Sequence, residues 1–152
     1  MHIATIISST LAAALCAAAP LHAKQSIMPE DPAALEFQNA VGFADAVIAG
    51  EMIYLSGVVA APAPGETDLK PAFARAFARI ANTLARAGAS WDDVVDLTTY
   101  HTDLPGQIND FAEVKGRYIK APFPAWTAIG ISALYEPTAV VEIKIVARVR
   151  GE

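Results

Sequence analysis

Residues 84–101, LARAGASWDDVVDLTTYH, contain the end of a helix, a turn and a strand in immediate succession. Gly88 is suited to end the helix, because glycine accepts the left-handed backbone that often follows the last helical turn. Ser90 and Asp93 have the spacing of a capped turn. Residues 94–101 are rich in β-branched and aromatic side chains, as strands are. The stretch therefore predicts a helix that passes through one turn into a strand.

The helix before this turn is amphipathic. Between about Asp68 and Ala87, apolar residues recur at spacings of four, three and four, while the arginines fall away from that stripe. A second helix is predicted over about 107–120, and Pro122 ends it. The predicted core-facing residues are Phe73, Phe77, Ile80 and Leu84 of the first helix and Ile108, Phe111, Val114 and Tyr118 of the second.

Along the chain, strands are predicted before and after this pair of helices. Residues 46–57, AVIAGEMIYLSG, hold two apolar runs around Gly50 and Glu51, a pair suited to a tight hairpin turn. Residues 60–71 form a proline-rich loop, and two further strands are predicted over 125–132 and 139–149. The order β-β-α-β-α-β-β indicates an α+β fold with both helices on one face of a single sheet.

The first 23 residues differ from the rest, since every charged residue lies at or after Lys24. This apolar leader ends at the small residue Ala23, so residues 1–23 are predicted to be a signal peptide cleaved there, with the mature protein periplasmic or secreted. The alternative is an N-terminal membrane anchor, which the polar residues 8–10 disfavour. Residues 24–152 then form a single domain.

Composition excludes several function classes. The net charge of −5 is spread without blocks, which argues against nucleic-acid binding and against anionic membrane surfaces; no stable membrane insertion is expected after cleavage. The single cysteine, Cys16, lies in the leader, and His101 is the only histidine that follows the leader. A zinc site needs several such ligands, so no metal and no cofactor are predicted.

Several segments resemble the Rid family (reactive intermediate deaminases, also called YjgF-like), from about residue 40 to the end of the chain. The resemblance implies a chorismate-mutase-like sheet, a homotrimer with ligand clefts between subunits, and hydrolysis of 2-imino or enamine acids to 2-keto acids and ammonia. The matching segments are IYLSG (53–57), LARAGAS (84–90) followed by WDDVVDLTTY (91–100), Asp103 with Leu104, DFAEVKGRYI (110–119), FPA (123–125) and VEIKIVA (141–147).

Trp126 follows the FPA segment, where deaminating members of the family carry an arginine that holds the substrate carboxylate. Arginine supplies two charge-assisted hydrogen bonds of about 1.5–3 kcal/mol each, whereas tryptophan has one N–H donor and no charge. The resemblance therefore implies that this chain is nearly inert towards small 2-imino acids.

Other pocket positions depart from the deaminating pattern in the same direction. Val58 stands for a glutamine after the Ser56–Gly57 pair, Phe43 for a tyrosine, and Lys115 for an asparagine. Glu142 is retained, where the family's acid positions the attacking water. The resemblance thus implies Glu142 as the catalytic residue and, as substrate-binding residues, Trp126, Phe43, Ser56, Val58 and Lys115.

The residues alone also allow plainer interpretations. Trp126 could be a packing residue, Glu142 could be a solvent-facing strand residue paired with a lysine, and His101 could be structural. A nucleophilic triad of Ser56, His101 and Asp103 is disfavoured, because no nucleophile-elbow motif surrounds the serine.

Two function classes stay open. One is an exported hydrolase in which Glu142 orients water and Trp126 stacks on a neutral or aromatic C=N or enamine substrate. The other is a non-catalytic trimer that binds a small apolar or cationic metabolite, with Trp126 and Glu142 together holding a cation. An imine-hydrolysis screen or a ligand-bound structure would distinguish them.

Overall fold

The computed structural model describes residues 24–150, so the predicted leader and its cleavage point lie outside the described residues. A 3₁₀ turn at Trp91–Asp93 precedes the fifth strand. In chain order the elements are β1 (Gln25–Ile27), α1 (Pro32–Val41), β2 (Ala46–Ala49), β3 (Met52–Leu55), β4 (Val58–Ala60), α2 (Lys70–Arg86), β5 (Val94–His101), α3 (Leu104–Tyr118), β6 (Ala125–Gly130) and β7 (Val141–Arg148).

The seven strands form one mixed sheet in the order β1-β2-β3-β7-β5-β6, and β4 pairs with β7 beyond the end of β3. All pairs are antiparallel except β5 with β6, which α3 connects as a crossover helix. The two longest strands, β5 and β7, lie at the centre, and buried residues alternate with half-buried ones from Leu97 to His101 and from Val141 to Ala147. The α+β class is confirmed.

The elements in and around residues 84–101 agree with their predictions. Strand β5 has the predicted bounds, and Ser90 and Asp93 form a full capping box before it. Gly50, with a φ of 60°, occupies the hairpin turn between β2 and β3, and Gly88, with a φ of 78°, follows α2. The four predicted core residues of α2 are all buried. Local pattern and tertiary packing therefore specify the same structure here.

Three elements are absent from the predicted order: the short strands β1 and β4 and the helix α1. Three-residue strands are too short to show a period, and α1 fully buries only Gln38. Helix α3 begins at Leu104 rather than near residue 107, because the Asp103 side chain accepts from the Gly106 N–H at 3.3 Å and caps it. The sheet is accordingly larger than predicted.

The core lies between the sheet and the helices α2 and α3, and it is strongly aromatic. Phe73 and Phe111 meet edge to face at 5.4 Å, and the Phe77 and Tyr118 rings stack at 5.0 Å. On β7, Ile143 and its alternate neighbours face this core, which leaves the other alternate residues on the opposite face of the sheet. No helix within residues 24–150 is long and apolar enough to cross a membrane.

Candidate functional site

A cavity of about 770 Å³ opens beside the junction of β3 and β4. Its walls come from α1, from the β3–β4 junction, from one side of α2 and from β7. Four of the six site residues predicted from the sequence line it: Phe43, Ser56, Val58 and Glu142. The structure therefore brings together residues that are up to about a hundred positions apart in the chain.

Glu142 is half-buried on the face of the sheet that points away from the core. It lies opposite Val59 of β4 and Tyr100 of β5 in the strand register. The ion pairs of residues 24–150 do not include Glu142. Lys144, on the same face, donates instead to the Leu55 carbonyl at 2.6 Å. The suggested lysine pairing of this carboxylate is therefore wrong for Lys144.

Gly57 makes room for the Glu142 side chain. A Cβ placed on Gly57 would lie 2.5 Å from Glu142 Cδ and 2.9 Å from its Cγ, closer than side-chain atoms can approach. The backbone at the β3–β4 junction thus contacts the carboxylate directly. The sequence analysis did not assign Gly57 a role, although the IYLSG segment contains it.

Ser56 has a structural task within the chain. Its hydroxyl donates to the Ala44 carbonyl at 2.6 Å and so joins the end of β3 to the segment that carries Phe43. His101 is buried and hydrogen-bonded to Thr99, and Asp103 caps α3. Because each member of the disfavoured triad is engaged elsewhere, nucleophilic catalysis by Ser56 has no support in this geometry.

A charged cluster that the sequence analysis missed fixes one wall of the cavity. Arg86 pairs with Asp45 at 2.9 Å and also donates to the Met28 carbonyl. Gln38 donates to the other oxygen of Asp45 at 2.7 Å. Since Arg86 and Asp45 are 41 residues apart, nothing in the local sequence indicates that they meet. The cluster ties α1 and the segment before β2 to α2.

The remaining lining of the cavity is acidic and aromatic. Phe37 and Phe43 meet edge to face at 6.1 Å, and Tyr135 is 85% exposed beside them. Carboxylates outnumber guanidinium groups around the cavity by five to two: Glu30, Asp31, Asp45, Glu136 and Glu142 against Arg79 and Arg86. This composition favours a ligand with positive or delocalised charge over an anion.

Trp126 and Lys115 lie elsewhere, on the helix side of the sheet. Trp126 packs against the core with its ring 6.1 Å from that of Phe111. Lys115 Nζ lies 3.9 Å from the centroid of the Trp126 ring, a cation–π contact. Burial lowers the pKa of Lys115. These two predicted site residues therefore contact each other.

The strand register places Trp126 and Glu142 on opposite faces of the sheet. Trp126 is in register with Leu97, and Leu97 is in register with Ile145 of the core. Residues in register point to the same face, while neighbours along a strand alternate. Glu142 is three positions from Ile145, so it points the other way. Within one chain the expected joint site of Trp126 and Glu142 does not form, and a shared cleft between two chains stays a prediction.

The fold and the cavity define a class of protein: a small α+β domain with helices packed on one face of a mixed sheet and a ligand-sized cavity at a strand junction. The chain belongs to the Rid, or YjgF-like, family, and residues 34–149 match the family model described as Endoribonuclease L-PSP. The resemblance seen in the sequence is thereby confirmed.

Relatives and solved structures agree with this assignment. The RutC family protein YjgH of Escherichia coli strain K12 is 36% identical over 110 residues, which cover 70% of this chain and 82% of YjgH. A solved structure described as protein YJGH has a TM-score of 0.72 at 29% identity and covers 85% of this chain and 98% of its own. Rv2704 of Mycobacterium tuberculosis, a YjgF/YER057c/UK114 family member, has a TM-score of 0.71 at 27% identity, with coverages of 84% and 100%.

Proposed function

We propose that this protein is an exported hydrolase of the imine and enamine deaminase type, acting on a small metabolite in clefts between the subunits of a homotrimer. The observation that carries the proposal is the Glu142 carboxylate, which is half-buried, unpaired among the described residues and placed at a cavity of about 770 Å³. Cavities of this size suit small-molecule ligands.

The position of the other site residues supports a cleft made by two chains. Phe43, Val58 and Glu142 line the cavity, whereas Trp126 and Lys115 lie on the opposite face of the sheet. One chain cannot present both groups to one small ligand. A trimer of the kind that the family resemblance implies would let the Trp126 group of one subunit close the cavity of its neighbour.

The chemistry proposed for Glu142 is to orient and deprotonate water. The water oxygen attacks the carbon of the C=N bond, and Glu142 takes one of the water protons. That proton passes to the nitrogen and gives a carbinolamine. Glu142 then takes the remaining proton from the carbinolamine hydroxyl and delivers it to the nitrogen, so that the carbon–nitrogen bond breaks and the products are a carbonyl compound and ammonia. Neither a metal nor an oxidant is needed for this balance, since one water molecule is consumed for each ammonia released.

The substrate is proposed to differ from a simple 2-imino acid. Trp126 has no charge with which to bind a carboxylate, and its one N–H already donates to Thr99 at 3.1 Å. Stacking of a substrate on its ring requires Lys115 to move from its place 3.9 Å from the ring centroid, and such stacking favours a neutral or aromatic substrate. The carboxylates around the cavity disfavour a second anion.

The decisive test uses the purified mature protein and a panel of imines and enamines, some aromatic and some derived from small amino acids. We expect hydrolysis of aromatic members and almost none of the small 2-imino acids. Glu142→Gln should abolish turnover, because the amide cannot accept a proton. Glu51→Gln is a matched control: Glu51 is an exposed glutamate whose weak ion pair with Arg148 spans 3.7 Å, and its loss should leave the rate unchanged.

A second variant examines the role of Trp126. Trp126→Arg should gain partial activity on small 2-imino acids, and the double variant Trp126→Arg/Glu142→Gln should lose it again. The gain is partial, since Phe43, Val58 and Lys115 still differ from the deaminating pattern, and a misplacement of about 1 Å can cost a factor of about 10². Robust hydrolysis of small 2-imino acids by the unmodified protein would contradict this view of the pocket.

The acidic and aromatic lining supports a second candidate, a trimer that binds a cationic metabolite without turnover. Phe37, Phe43 and Tyr135 would supply ring faces and Glu142 a counter-charge. Calorimetry with a small tetraalkylammonium ion and its uncharged carbon isostere separates the two. Selective binding of the cation by a protein inactive on every imine would favour the binding role.

RNA cleavage, which the description of the family model names, has less support in this chain. The net charge is −5, and the charged side chains that line the cavity are mainly carboxylates, which repel a phosphate backbone. Incubation with single-stranded RNA, with the Glu142→Gln variant as control, should show no protein-dependent cleavage.

A further inference from the structure

A series of hydrogen-bonded polar side chains, buried at Thr99, His101 and Gln107, runs along the helix face of the sheet, away from the cavity. It begins at Trp126, whose Nε1–H donates to Thr99 Oγ1 at 3.1 Å. His101 Nε2 lies 2.9 Å from the same hydroxyl oxygen. The edge of the His101 imidazole contacts the ring of Phe111, 5.1 Å away, and His101 is fully buried. Three side chains from β5 and β6 are thus joined at one hydroxyl.

The far end of this series of hydrogen bonds lies at α3 and the turn before it. The amide nitrogen of Gln107 donates to Thr102 Oγ1 at 3.2 Å, and that hydroxyl donates to the Val140 carbonyl at 3.1 Å. Since a hydroxyl has only one hydrogen, Thr102 cannot also donate to Gln107. The carbonyl oxygen of Gln107 is therefore the acceptor left at the inner end.

Two atoms of this series have no assigned hydrogen-bond partner. His101 Nδ1 and Gln107 Oε1 are both buried, and neither has a hydrogen-bond partner among the described residues. Burial lowers the pKa of His101, and the Gln107 side chain opposes this shift. Gln107 also donates at 3.2 Å to Thr102, the residue that follows His101, which keeps the two side chains close. Leaving both atoms unsatisfied would cost each group the desolvation free energy of an unpaired buried polar atom.

The shorter contacts select one neutral arrangement: the Thr99 hydroxyl has one hydrogen, and its oxygen lies 2.9 Å from His101 Nε2 but 3.4 Å from the Thr127 carbonyl oxygen. Trp126 can only donate, so Thr99 accepts from it, and the Gln107 oxygen can only accept. We propose that His101 is held as the neutral tautomer with its proton on Nδ1, donating to Gln107 Oε1 while Nε2 accepts from the Thr99 hydroxyl. The hydrogen bonds then all run in one direction, from Trp126 through Thr99, His101 and Gln107 to Thr102. The opposite tautomer would either place two bare acceptors against each other or require the Gln107 amide to turn round and give up its hydrogen bond to Thr102.

This arrangement makes His101 and Gln107 positioning residues for Trp126. Through Thr99 they fix the indole N–H on one side, while Lys115 covers the ring from 3.9 Å. The effect on ligands rests on the proposed function, in which Trp126 faces the substrate. The tautomer itself does not, because it can be measured without any ligand.

The test is ¹⁵N nuclear magnetic resonance of the full chain labelled at histidine and tryptophan. The His101 signals are assigned by their loss in His101→Gln, and the Trp126 indole signal by its loss in Trp126→Phe. In the wild type at neutral pH we expect a protonated Nδ1 and an unprotonated Nε2. In Gln107→Met, which keeps the length but removes the acceptor, the proton should move to Nε2 and the Trp126 indole N–H resonance should shift.

Gln38→Met is the matched control, since Gln38 is also a buried glutamine with an unpartnered oxygen but contacts Asp45 instead. It should leave the His101 tautomer unchanged. An Nε2–H tautomer in the wild type, or a Gln107→Met spectrum without change at His101 and Trp126, would overturn the proposal. A wild type with the expected tautomer but no imine hydrolysis would refute only the proposed function.

Discussion

Replacing Gly57 by alanine tests directly whether the β3–β4 junction holds the Glu142 carboxylate. The added Cβ would fall 2.5 Å from Glu142 Cδ and 2.9 Å from Cγ, so rotating the carboxylate alone does not relieve the overlap. The side chain must leave its rotamer or the junction must move. An off-rotamer side chain costs about 0.5–1.5 kcal/mol, and overpacking that moves backbone costs about 1–3 kcal/mol.

We therefore expect Gly57→Ala to lower the free energy of unfolding by about 1–2 kcal/mol in urea denaturation at pH 7. Glu142→Ala should cost little alone, since the carboxylate has no ion pair among the described residues. The double variant should recover most of the loss, so a double-mutant cycle should give a coupling of about 1 kcal/mol or more. Gly116→Ala is the control: a Cβ there meets nothing within 4 Å, and alanine favours the helix.

Additive effects of the Gly57 and Glu142 substitutions would refute this reasoning. They would mean that the Glu142 side chain does not lie against Gly57 in solution. Conversely, a coupling with normal imine hydrolysis by Gly57→Ala would confirm the contact but show that its geometry is not needed for turnover.

Three further predictions concern charge, the Trp126 ring and the leader. The hydrogen bond from Arg75 lowers the pKa of Glu66 from 4.5 to about 2; because the folded pKa lies below the unfolded one, this stabilisation is present above pH 4.5 and is lost as the pH falls towards 2. In Arg75→Gln, titration of the Glu66 carboxyl by NMR should show a higher pKa. Lys115→Gln should remove the cation–π contact with Trp126 and reduce the free energy of unfolding by about 0.5–1 kcal/mol, measured by circular dichroism in urea. Mass spectrometry of exported protein should find the chain starting after Ala23, and an intact start at residue 1 would contradict the predicted cleavage.

Much of the fold could be predicted because its long elements carry clear periods. Helix α2 repeats its apolar residues every three or four positions, and β5 has the composition of a buried strand. Strands β1 and β4 are too short for a period to be seen. The Asp103 cap of α3 was missed because the resemblance treated this residue only as part of a matching segment.

The candidate site, too, could be predicted only in part from the sequence. Glu142, Phe43 and Val58 could be assigned because the family resemblance aligned them, and the structure places them in one cavity. The opposite orientation of Trp126 depends on the register between β5, β6 and β7, and register between distant strands is not visible in a single sequence. The pair of Arg86 and Asp45 depends on the same kind of long-range contact.

The position of β1 has a consequence for the predicted cleavage after Ala23. This strand begins at Gln25, two residues after the predicted cut at Ala23, and joins the sheet by three residue pairs with β2. A peptidase binds its substrate as an extended segment around the cut, and a strand already docked on β2 cannot enter such a cleft. If the leader is removed there, cleavage must precede the docking of β1 or wait for it to detach. Because so short an edge strand can open without unfolding the core, maturation and the last step of folding would be coupled in time.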